Sequence, residues 1–157
     1  MCNRNVALAS TKPDDQSGTL IDQLIALSGA QHVDRITVAG RKALDVLLGL
    51  CRRGFLHATC QTATPGPHVE DSSDSLWILA TQDTAELRTL IAKCGRDLRS
   101  GGTLIIGFDR DSSADGALRF RDVLVKCGFI PVQQAHSRDH RFLLCARKRE
   151  RHEAMAA

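Results

Sequence analysis

The chain has 157 residues, of which 43% are hydrophobic and 25% charged, with 21 basic against 18 acidic side chains. That is the composition of a soluble globular protein with a sizeable core. Its longest apolar runs, 47–51 and 76–80, fall far short of the ~20 residues that cross a bilayer, so no membrane partner is expected. A net charge of +3 with five Phe, one Trp and no Tyr offers neither the field nor the stacking surfaces of a nucleic-acid-binding protein. The basic excess is C-terminal, in Arg138, Arg141, Arg147, Lys148, Arg149 and Arg151, and reads as a solvated face.

Six cysteines, Cys2, Cys51, Cys60, Cys94, Cys127 and Cys145, are spread without any C-x-x-C spacing. They read as free, mostly buried thiols, and no metal site is expected. With no secretory signal visible at residues 1–10, a reducing, cytoplasmic location is expected.

In chain order, residues 1–18 mix polar residues with Pro and Gly and read as a flexible leader. From Thr19, the residues Leu20, Ile21, Leu24, Ile25 and Leu27 recur at helical spacing, predicting a covering helix that ends near Gly29. Residues 35–39 form a β-branched strand closed by Gly40. Ala43, Leu44, Leu47, Leu48 and Cys51 then mark a helix, with Arg52, Arg53 and Gly54 suited to its C-terminus.

A second strand follows at 56–61, and then a loop at 62–74 broken by Pro65, Gly66 and Pro67. The 75–80 run is apolar throughout, as expected of a parallel strand buried on both faces. A helix capped by Asp83 or Thr84 carries Leu87, Leu90, Ile91, Cys94 and Leu98. Gly101 and Gly102 reverse the chain into a strand at 103–108. A helix opened by Ser112 or Ser113 stops at Gly128. The strands 129–135 and 141–147 are joined by 136–140, too short for a parallel crossover, so they must be antiparallel.

The expected fold is therefore α/β: a Rossmann-like three-layer sandwich whose mainly parallel sheet ends in an antiparallel hairpin. One domain is expected over 19–149, followed by a polar tail at 150–157.

Ser75-Leu-Trp-Ile-Leu-Ala80, the passage Arg99-Ser-Gly-Gly-Thr-Leu-Ile-Ile106, Leu124-Val-Lys-Cys-Gly-Phe-Ile130 and the strand at 143–148 resemble, in order and spacing, the class I S-adenosylmethionine-dependent methyltransferase family. The resemblance spans roughly 34–149. It implies a ligand pocket at the carboxyl ends of the strands, formed by Ala39, Gly40, Arg41, Gln61, Thr81, Gln82 and Asp83.

Three departures from the family's pattern stand out. Only Gly40 remains of its glycine-rich turn, and Arg41 and Lys42 crowd that place. Cys60-Gln61-Thr62 stands where an acid normally receives the ribose hydroxyls. The residues 62–74 replace a helix, strand and helix.

The expectation is a methyltransferase-like domain that has lost cofactor binding, takes no cofactor, has no catalytic residues and acts as a protein-interaction or regulatory module. A protein partner or a homo-oligomer is expected on the apolar surface that the shortened segment uncovers. The alternative is a divergent S-adenosylmethionine-dependent methyltransferase. His136, Asp139, His140 and Arg141 read as an exposed hairpin turn, and 109–115 as a helix-capping loop that lacks the Gly and Glu of a calcium site.

Overall fold

A computed structural model describes residues 14–61, 72–81, 84–108, 114–136 and 142–150. In chain order the elements are α1 (Asp14–Ser28), β1 (Ile36–Gly40), α2 (Ala43–Arg52), β2 (Ala58–Cys60), β3 (Ser73–Thr81), α3 (Thr84–Cys94), β4 (Leu98–Phe108), α4 (Ala114–Lys126), β5 (Phe129–His136) and β6 (Phe142–Lys148). The six strands form one sheet in the order β2-β1-β3-β4-β6-β5. β2, β1, β3 and β4 are parallel, and β6 lies antiparallel to both β4 and β5. This is the expected architecture.

Side chains alternate across the sheet with the period of two that a pleated strand imposes. Ile36, Val38, Trp77, Leu79, Ile105, Leu143 and Cys145 point to the face covered by α1 and α2, where they meet Leu20, Ile21, Leu24, Val46 and Leu50. Ala39, Leu76, Ile78, Leu104, Ile106, Leu144 and Ala146 point to the opposite face, against Leu87 and Ile91 of α3 and Phe120, Val123 and Leu124 of α4. Both faces of β3 and β4 are thus dry, which is why their sequences read as unbroken apolar runs. Trp77, at the centre of the first face, donates its indole N–H to Ser75 Oγ at 2.8 Å, so its one polar atom is satisfied.

α2 ends as its sequence requires. Gly54, at φ 86°, donates its N–H to the Cys51 carbonyl, and Phe55 donates to that of Leu50. This paired closure needs a left-handed residue, and glycine takes that conformation without a Cβ penalty.

The amino ends of the parallel strands are tied by charge. Asp74 accepts hydrogen bonds from the Arg35 backbone N–H at 2.9 Å and from Arg99 Nε at 2.8 Å. These bonds hold its carboxyl below the usual carboxylate range, the Arg35 backbone N–H being the largest cause. At the far end of β6, Lys148 Nζ donates to the carbonyls of Gly95 and Leu98, fastening the turn that follows α3.

Several boundaries differ from those the sequence predicts. α1 begins at Asp14, so 14–18 belong to the helix and not to a leader. β3 begins at Ser73, inside the segment expected to be loop. α3 stops at Cys94, and Leu98 starts β4. Gly101 and Gly102 do not reverse the chain; they lie within β4. There the register jumps from Ser73–Leu98 to Ser75–Thr103, with Gly101 at φ 73°.

Candidate functional site

β1 is followed by α2 on one face of the sheet, and its neighbour β3 is followed by α3 on the other. At such a reversal the two connections diverge and leave a crevice outside the carboxyl ends of the strands, where open α/β sheets take their ligands. The residues expected to form a pocket distribute around it unequally. Gly40 ends β1, paired with Leu79 of β3, at φ 99°. A Cβ at this position would collide with the Leu79 carbonyl oxygen, so only glycine lets the two strand ends approach this closely.

Arg41 follows at the surface, and its Nε lies 3.7 Å from Glu86 Oε1 in the first turn of α3. That ion pair spans the crevice from one helix start to the other. Gln61 is half-buried just past β2, and its backbone N–H donates to the Val38 carbonyl at 2.8 Å, setting it beside β1. Lys42 occupies the N-cap of α2 without a side-chain cap bond.

Ala39 is not a pocket residue. It is 1% exposed and belongs to the core against α3, because strand parity turns it away from the crevice. Thr81 ends β3 beside Phe108 of β4. Gln82 and Asp83 lie outside the described residues, as does the 137–141 turn. Glu86 was missed by sequence reasoning. Its signal was present, since an acid three residues after a candidate cap is the spacing of a capping box.

A separate hollow of about 250 Å³ lies between α1 and the β5–β6 hairpin, lined by Gln23, Ala26, Leu27, Gln133, Ala135 and Leu143. Gln23 Oε1 is buried there without a hydrogen-bond partner among the described residues.

Neither a protein-family model nor a curated protein sequence matches this chain. Solved structures do. A protein described as a methyltransferase, in complex with the Haloferax volcanii Trm112 methyltransferase activator, matches with a TM-score of 0.66 at 12% identity, over 87% of this chain and 92% of that one. A SAM-dependent methyltransferase from Aquifex aeolicus matches with a TM-score of 0.58 at 9% identity, over 87% and 93%. Geranyl diphosphate C-methyltransferase from Streptomyces coelicolor A3(2), in complex with Mg2+, geranyl diphosphate and S-adenosyl-L-homocysteine, matches with a TM-score of 0.59 at 12% identity, over 87% and 80%. The chain therefore has the class I methyltransferase-like fold.

These neighbours correct one expectation. The reading that no cofactor is taken does not hold against them: the Aquifex aeolicus protein is a SAM-dependent methyltransferase, and two geranyl diphosphate methyltransferase structures carry S-adenosyl-L-homocysteine or sinefungin. The residues present here also fit such a group. Gly40 lets the ends of β1 and β3 meet without a side chain between them, and Arg41 and Glu86 offer one charge of each sign.

Proposed function

We propose that the crevice between β1 and β3 binds the amino-acid end of an S-adenosylmethionine-class ligand and that the domain acts in methyl transfer. The observation that carries this reading is the Arg41–Glu86 pair. Its side chains are 57% and 28% exposed, and at 3.7 Å it is a loose surface contact, of the kind worth about 0–1 kcal/mol. An amino-acid moiety presents a carboxylate to the guanidinium and an ammonium to the carboxylate. A ligand that offers a partner to each charge replaces this contact with two charge-assisted hydrogen bonds.

Gln61, just past β2, carries an amide oxygen of the kind that accepts from a sugar hydroxyl. Such a ligand supplies, when bound, a methyl group carried on a sulfonium sulfur. The chain's own part is to fix the ligand's zwitterionic end and to hold β1 and β3 close through Gly40.

A second reading, a protein-interaction or regulatory role for the same domain, is supported by the Haloferax neighbour, which is in complex with a protein activator. The two readings are compatible, and ligand binding tests the first of them.

Titration calorimetry with S-adenosylmethionine and with S-adenosylhomocysteine tests the proposal. Saturable binding that weakens at least tenfold in Arg41→Ala and in Glu86→Gln is expected. No heat of binding up to millimolar ligand, from protein shown to be folded, overturns it.

A further inference from the structure

We propose that the Arg41–Glu86 pair works as a charge filter: the crevice selects ligands that carry a carboxylate and an ammonium together, as a free α-amino acid end does, over ligands that carry only one of them. This rests on the methyl-transfer reading for the place of the ligand, and it adds which part of the ligand is read. Arg41 leaves the end of β1, which Gly40 holds against Leu79, and Glu86 stands across the crevice in the first turn of α3. Their 3.7 Å contact lets each offset the other's charge. Gln61 past β2 and Thr81 at the end of β3 are uncharged, so neither competes for an ionic group.

What the pair does depends on the charge a ligand brings. A ligand with neither charge leaves it closed. One with a carboxylate alone must draw Arg41 from Glu86, and it sets a second negative charge beside an acid that is only 28% exposed. One with an ammonium alone does the converse to Arg41. A ligand with both charges parts the pair and gives each side a partner. A charge whose partner has been taken is the larger loss. Because Arg41 is 57% exposed, water repays part of that loss, and the discrimination is about tenfold.

Such a filter leaves a mark that two independent contacts do not. Removing an independent contact makes every ligand bind more weakly or leaves it unchanged. Removing the charge of Glu86 instead frees Arg41 from its internal competitor. A carboxylate-only ligand then meets no opposing acid and binds more tightly than to the wild type, while an amino-acid ligand loses the partner of its ammonium and binds more weakly. The same exchange holds for Arg41 and an ammonium-only ligand. Selectivity thus comes from what the pair rejects as well as from what it holds.

Titration calorimetry at low salt tests it on the full chain, in wild type, Glu86→Gln and Arg41→Gln, each shown by circular dichroism to be folded. The probes are S-adenosylhomocysteine, its deaminated analogue with the carboxylate alone, its decarboxylated analogue with the ammonium alone, and methylthioadenosine with neither. The wild type should bind S-adenosylhomocysteine about tenfold more tightly than either single-charge analogue, and neither analogue should bind more tightly than methylthioadenosine. Glu86→Gln should weaken S-adenosylhomocysteine and strengthen the deaminated analogue, and Arg41→Gln should do the same with the decarboxylated one. Wild-type protein that binds S-adenosylhomocysteine and the single-charge analogues alike overturns the filter and leaves the methyl-transfer reading standing. So does a Glu86→Gln variant that weakens the deaminated analogue. Folded protein that binds none of the four probes overturns both.

Discussion

Gly40 and Leu79 face one another across the carboxyl ends of β1 and β3, and the Leu79 carbonyl oxygen occupies the space where any larger residue at 40 would carry its Cβ. The obstacle is backbone in the middle of the sheet, and the φ of 99° at Gly40 adds strain for any other residue. Gly40→Ala is expected to lower stability by about 3 kcal/mol, from left-handed strain together with forced separation of the strands. Urea denaturation reads this directly. A loss below about 1 kcal/mol would show that the two strand ends move apart freely.

Asp74 makes stability depend on acid. Its folded-state pKa is depressed, so its contribution is full above the ordinary carboxylate value near 4 and disappears as the pH falls through the lower folded value. Asp74→Asn should therefore cost about 1 kcal/mol or more at pH 7, after allowing for solvent screening of a partly exposed group. The wild type and the variant should converge in stability as the pH falls through the lowered folded-state value. Denaturation midpoints at pH 7, 5, 4 and 3 provide the check, and a gap unchanged at pH 3 would remove the carboxylate from the explanation.

Thiol chemistry should divide the cysteines by position. Cys51 and Cys127 are exposed, whereas Cys94 and Cys145 are buried. Burial, with Asp97 nearby, pushes the Cys94 thiol up to about 11, and burial raises Cys145 as well. The thiolate is the reactive form, so iodoacetamide at pH 7.5 should modify Cys51 and Cys127 in the native protein and reach Cys94 and Cys145 only after unfolding. Peptide-resolved mass spectrometry over time measures the order, and early modification of Cys94 would contradict the packing described.

α1 is part of the core. Leu24 is 0% exposed and packs within the cluster that contains Trp77 and Ile105. Leu24→Ala should cost about 2–5 kcal/mol, the range for a leucine truncated in a close-packed interior. A thermal melt records this as a fall in Tm. An unchanged Tm would mean that the helix merely rests on the sheet.

Much of this architecture was legible because two faces of burial leave a simple mark: β3 and β4 are apolar at consecutive positions, and their helices keep a period near 3.6. The antiparallel end followed from the shortness of 136–140 alone. What escaped was tertiary. Gly101 and Gly102 carry the local signature of a reversal, yet the sheet absorbs them as an irregularity in β4, close to where Arg99 reaches Asp74, 25 positions earlier. The start of α1 escaped because 14–18 show no apolar period. At the candidate site, Ala39 sits in the right stretch of chain but faces the wrong way, a matter of strand parity. Glu86 gained its meaning only when folding brought it to Arg41.

The place of β6 in the sheet bears on how the protein is made. It follows β5 in the chain yet lies between β4 and β5. A nascent chain that has emerged only as far as β5 can close neither the sheet nor the cluster that waits for Leu144 and Ala146. The open side of β4 stays exposed until β6 arrives and inserts. Partial products of synthesis are thus the species most in need of protection, and cooperative folding must wait for residues 142–148 to leave the ribosome.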